Sequence, residues 1–257
     1  MRRLLTLQLG LTFAFLYLPI AILIGLSFNR AGMPTAWTGF SFDWYGKLAA
    51  SPKIIAATRN SLIVAASSTA IATVLGTMLA IGIERRRSSP SVDALLFAPM
   101  IIPDIVLAIA LLTFFTLIGA TLGLYSIVLS HVVFNIAFVT AVVRARLKSF
   151  DWSLEEASRD LGAGPWTTFR AITLPLILPS IVAAALLAFT LSFDEFIIAY
   201  FTAGAGQGST TLPMQIYAMI RFGVTPEINA MATIIILVSF VLVLSAQRLN
   251  RGRLPGP

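Results

Sequence analysis

The sequence has 257 residues, of which 58% are hydrophobic and only 11% charged, and its mean hydropathy is +0.90. Soluble domains carry roughly 25% charged residues, so lipid must be the solvent for most of this chain's surface. The absence of cysteine and the single histidine, His131, exclude disulfide frameworks, cysteine-ligated zinc, thiol catalysis and a histidine metal cluster. A net charge of +7 would suggest nucleic acid in a soluble chain; here the positions of the charges account for it, and no nucleic-acid partner is expected.

Six apolar stretches are long enough to cross a bilayer, which needs about 20 residues. They lie at about 5–28, 60–83, 92–118, 124–143, 177–202 and 227–246, and they predict an all-α membrane protein with six transmembrane helices. The first is too long for a signal-peptide core and lacks a clean small-residue cleavage site, so it is expected to remain as a span. With the N-terminus inside, 13 of the 18 lysines and arginines fall on the cytoplasmic side and 5 on the other. That bias places both termini in the cytoplasm, with anionic lipid headgroups as partners of the basic residues. Two outer segments, 29–58 and 203–225, are long, and Trp37, Trp44 and Tyr45 in the first suit a membrane interface.

The connection at about 144–176 is the longest cytoplasmic one. Ser153 with Glu156 three residues later forms a capping-box pattern that starts a short helix. Gly162 suits the position just past that helix's end, and Gly164-Pro165 turns the chain into a second short helix running to about Arg170. Pro175 is expected to separate this hairpin from the fifth span. Its apolar residues, Leu154, Ala157, Leu161, Trp166 and Phe169, leave two readings open: insertion into a groove on another protein, or a loop lying on the bilayer.

Acidic residues within spans are costly and normally face a pathway or a partner. Asp104 follows Pro103 in the third span, and Asp194 and Glu195 lie in the outer half of the fifth. No lysine or arginine lies within the spans to neutralise them, an arrangement suited to a cationic cargo. The alternatives are that Asp104 caps a helix broken at Pro103 and that Asp194 bonds a neighbouring helix; adjacent residues point to different faces, which weakens the case for Glu195. Trp44 could close over a cation through its ring face or act as an interfacial anchor. Asp93 and Glu227, near span ends, are expected only to cap helices, and His131 to be a packed polar residue. A phosphate-binding loop is lacking, since the only Gly-Lys pair is Gly46-Lys47, followed by Leu48.

The run Glu156-Ala157-Ser158, then three residues to Gly162, nine more, and Ile172-Thr173-Leu174-Pro175, resembles the coupling-loop signature of bacterial ATP-binding-cassette importer permeases. It departs from that pattern at Ser158, where the family has alanine. Over nearly the whole chain, Asn29, Trp44-Tyr45, Pro103-Asp104-Ile105-Val106, Ser192-Phe193-Asp194-Glu195, Thr211-Leu212-Pro213 and Pro226-Glu227-Ile228-Asn229-Ala230 resemble the spermidine/putrescine (PotC-type) permease family. The resemblance implies the type I importer permease fold, with residues 1–56 as an N-terminal helix and periplasmic segment, 57–247 as the permease domain with a coupling loop at 150–175, and 248–257 as a basic tail. It implies a bacterial inner-membrane subunit without covalent chemistry or a cofactor of its own, ATP and magnesium being bound by a partner ATPase dimer. A second, different permease subunit and a periplasmic or extracellular substrate-binding protein are the other implied partners. Glu156, Ala157, Asp160, Leu161 and Gly162 become the implied ATPase-docking residues, and Asp104, Asp194, Glu195 and Trp44 candidates for the path of a polyamine, another small organic cation or a metal complex. An ion-coupled secondary transporter would use the same acids but has no need of this loop. An intramembrane enzyme would need partners for His131 that the sequence does not supply.

Overall fold

The structure is a computed structural model that describes residues 2–32, 36–86, 89–221, 223 and 225–251. Among these the chain is helical, with one isolated antiparallel bridge between Asn29 and Phe40. It divides into two compact units: residues 1–55 with 215–257, and residues 56–214. Of the expected basic tail, residues 252–257 lie outside the described residues, as does Arg87 of the expected inner charges.

In the first unit, α1 (Arg2–Leu26) and α2 (Asp43–Ala50) both pack against α12 (Pro226–Arg251). The described apolar side chains of α1 are exposed along nearly its whole length, as a helix facing lipid would have them. After α1, Asn29 organises the following loop. Its buried side chain donates to Ala36 O at 2.8 Å and accepts from the N–H groups of Ala31 and Thr38. Beside it Phe28, Phe40, Phe42 and Tyr45 form an aromatic cluster, and the Tyr45 hydroxyl lies 2.7 Å from Ser27 Oγ.

The second unit is built on α3 (Pro52–Arg86), α6 (Leu124–Leu147) and α9 (Leu174–Asp194). Lipid tails are as apolar as leucine, so helices in a membrane gain by close backbone approach at small residues. Ser68, Ala72, Gly76 and Ala80 form such a row on α3, and Ala184, Ala188 and Ser192 another on α9; all are buried. At Gly76 a Cβ would come within 2.8 Å of Val139 on α6, and Thr140 donates to the Gly76 carbonyl. Val139, Val143, Leu147 and Ile177 fill the rest of this core, while Val74, Leu75, Met78 and Leu186 face outward. At the opposite end of α3 from Arg86, the Asn60 amide donates to Gly208 O and Thr210 O, and Ser61 Oγ accepts from Leu212 N, the start of α11 (Leu212–Ile220).

The described chain has four helices long and apolar enough to cross a membrane: Leu4–Leu26, Pro52–Arg86, Leu124–Leu147 and Pro165–Asp194. The expected third span is not one helix. It divides into α4 (Pro90–Ile101) and α5 (Asp104–Leu117), bent by 105°, and counting this pair as one span gives five. The cause is Pro103: a residue before proline is driven from helical to extended geometry, and Ile102 has φ −68° and ψ 134°. The sixth stretch is helical, with a shorter apolar part at Pro226–Val238. The second helix is longer than its apolar stretch: 35 residues reach about 52 Å, against a hydrocarbon core of about 30 Å.

Candidate functional site

Two groups of residues within residues 56–214 carry candidate functional side chains: the acids at the helix breaks, and the connection after α6.

The expected fifth span, 177–202, is interrupted. Helix α9 stops at Asp194, Glu195 is extended (φ −69°, ψ 124°), and the chain resumes as α10 (Ile197–Thr202), which packs on α5. A helix start leaves N–H groups without partners and carries a partial positive charge. The Glu195 carboxylate answers both, accepting from Ile198 N at 3.1 Å and Ala199 N at 3.2 Å. Asp104 opens α5, the helix on which α10 packs. Asp104 and Asp194 are exposed on this chain, and neither has an ion-pair partner among the described residues. Three acids therefore gather where two helices break.

Beneath them lies a buried polar chain. His131 Nδ1 is 2.7 Å from Ser192 Oγ, which is 2.9 Å from Ser68 Oγ, and the Asn135 amide donates to Ser68 at 3.5 Å. His131 Nε2 stands 3.9 Å from Glu195 Oε2, beyond hydrogen-bond reach. His131 is thus a packed polar residue, as expected from the sequence. Trp44 belongs to the other unit, where its indole N–H donates to Asn29 O at 2.8 Å and Lys47 Nζ sits 4.1 Å from its ring centroid.

After α6 come α7 (Ser153–Asp160) and α8 (Pro165–Thr168). Gly162 adopts φ +85°, a left-handed geometry that ends α7 with Gly162 N donating to Arg159 O and Ala163 N to Ser158 O. Pro165 opens α8, where its missing N–H costs nothing. The helix start differs from expectation: Asp151, not Ser153, supplies the cap, accepting from Ser153 N at 3.1 Å. The Ser153 hydroxyl and N–H hold the Asp151 carboxyl below its usual range. Pro175 likewise does not separate the hairpin from the span. The chain runs from α8 through one π-helical turn, Phe169–Thr173, directly into α9. Proline cannot donate and crowds the carbonyl four residues back, and the wider turn before it lets the helix continue.

The faces of α7 divide sharply. Glu156, Ala157, Asp160, Leu161 and Gly162 are exposed, Leu161 at 90% and the neighbouring Trp166 at 71%. Glu155 is buried. Its carboxylate accepts two bonds from Arg85 Nη2, at 2.7 and 2.9 Å, one from the Thr173 hydroxyl, and one from Arg159 at 3.3 Å. Ser158, where the family pattern has alanine, lies with its hydroxyl 3.1 Å from Thr168 Oγ1, tying α7 to α8. Asp93 has a role beyond a helix end: Ser89 caps α4, and Asp93 with Glu84 holds Arg144 of α6. Sequence reading missed Glu155, Arg85 and Arg144. The available signal for Glu155 was its place one residue before Glu156, on another helix face, with Arg159 four residues on.

The comparisons with known proteins bear on the family and the fold. Residues 72–254 match the family described as binding-protein-dependent transport system inner membrane component. The chain is 41% identical over 246 residues to the spermidine/putrescine transport system permease protein PotC of Escherichia coli (strain K12), covering 95% of this chain and 92% of that one. It is also 41% identical over 243 residues to the putrescine transport system permease protein PotI of the same organism, covering 91% and 85%. In fold it resembles a chain of a bacterial ABC transporter involved in import of the acidic polysaccharide alginate, with TM-score 0.79, 20% identity and coverage of 98% and 96%. With an all-helical fold, helices long enough to span a membrane and a match over most of its length, the chain belongs to the inner-membrane permease components of binding-protein-dependent ATP-binding-cassette importers.

Proposed function

We propose that this permease carries polyamines, and that Asp104, Asp194 and Glu195 line the path. The observation that carries the reading is the gathering of three carboxylates at the breaks of α5 and α9, without a neutralising lysine or arginine among the described residues, in a chain 41% identical to spermidine/putrescine permeases. Polyamines are flexible polycations, and carboxylates left unpaired near a membrane interior are matched by such a cargo. The Trp44 ring already takes an ammonium, that of Lys47; a cargo ammonium would meet the same face.

In this reading all six apolar stretches span the membrane, both termini are cytoplasmic, and a second, different permease completes the path. The exposed face of α7, with Glu156, Ala157, Asp160, Leu161 and Gly162, docks into an ATPase dimer. ATP binding moves that face, the cavity turns outward, and a periplasmic binding protein delivers cargo past Asp194 and Asp104.

The deciding experiment is putrescine uptake by the reconstituted complex carrying Asp194→Asn. Uptake should fall while the complex still assembles; unchanged uptake would remove Asp194 from the path.

A further inference from the structure

We propose that Glu155 is a positioning residue that transmits the ATPase stroke from α7 into the spans; the inference rests on the docking reading above. Glu155 is 3% exposed and has partners on two membrane helices at once. Arg85 lies in the last turn of α3, and Thr173 lies in the π-helical turn that leads into α9. The residue before Arg85 extends the link. Consecutive residues of a helix point about 100° apart, so Glu84 turns to Arg144 on α6, which also holds Asp93 on α4. One carboxylate on α7 is thereby joined to α3 and α9, and the end of α3 to α6 and α4.

The geometry makes this more than a fold contact. Glu156 on the same short helix and Leu161 just past its end are exposed, and Glu155 occupies the face turned inward. A partner pressing on the free face moves α7 against a buried charge that cannot be left without its partners. The strain passes to Thr173 and along α9, whose 21 residues run about 32 Å to Asp194 and the break at Glu195. Without the Glu155 links, α7 would be left with the Ser158–Thr168 bond as its side-chain tie to the helix that continues into α9.

The test uses the complete complex in proteoliposomes, with putrescine-loaded binding protein, measuring putrescine taken up and ATP hydrolysed in the same vesicles. Glu155→Gln and Arg85→Met should each lower uptake per ATP about tenfold, the scale of one charge-assisted hydrogen bond, with the ATPase still co-purifying. Arg85→Lys, which keeps the charge, should retain most of the coupling. Unchanged uptake per ATP in Glu155→Gln and Arg85→Met overturns the proposal, and so does loss of the ATPase from both, since Glu155 would then only build the docking face. Leu161→Ser separates the two readings: if it leaves ATPase retention intact, the docking reading itself fails.

Discussion

Acids at the two ends of the larger unit have opposite company. Near the α6–α9 connection, Glu84, Asp93 and Glu155 each hold an arginine. At the helix breaks, Asp104, Asp194 and Glu195 hold no arginine or lysine among the described residues, and Glu195 rests on backbone N–H groups instead. A carboxylate that completes its bonds inside the chain builds structure. One that does not is, in the function proposed above, open to a charge that arrives from outside. The same contrast recurs within α7, where neighbouring glutamates are buried and bonded at 155 and exposed at 156.

The contrast can be broken most severely at the unpaired acids. The double variant Asp104→Asn/Asp194→Asn should lower putrescine uptake about 100-fold, each lost charge–ammonium contact being worth about 1.5 kcal/mol, while detergent-extracted complex elutes unchanged. At the paired acids the effect should fall on stability instead. Arg144→Met leaves Glu84 and Asp93 facing each other and should cost about 2 kcal/mol, less than a fully buried pair because all three side chains are partly exposed. A lowered midpoint of thermal unfolding of the complex checks it. Leu161→Ser removes an exposed apolar prong and should weaken ATPase retention about tenfold, within the roughly 1.5–3 kcal/mol that burying a leucine contributes. Smallest is the cap: Asp151→Ala should show as faster amide exchange at the start of α7, and Ser153→Ala, which keeps the N–H that Asp151 accepts, should have the lesser effect.

Much of the connection after α6 was legible because its determinants are local. Gly162 ends α7 since φ +85° suits glycine, and Pro165 starts α8 for want of an N–H. Local rules misled where two candidates competed: Asp151 and Ser153 both suit a cap, and the backbone chose the aspartate. Pro175 carries the signal of a break, yet the π-helical turn ahead of it absorbs the proline. At Pro103 the same signal does produce a break, and the expected single span became two helices. Hydropathy averages over about 20 residues and does not register either outcome.

By itself the sequence determined that lipid is the solvent, that the chain is helical and that acids lie among its apolar stretches, because composition and hydropathy are sums that need no partner. It also determined the coupling-loop pattern, whose spacing is carried by contiguous residues. Only the tertiary structure decided which acid meets which base. Glu155 meets Arg85 across 70 residues, and Arg144 meets Glu84 across 60. Asp104 and Glu195 come to one pair of packed helices because α5 packs on α10. These pairings depend on the close approach of α3, α6 and α9 along their small residues, such as Gly76 against Val139, a fit between surfaces that one-dimensional spacing does not encode.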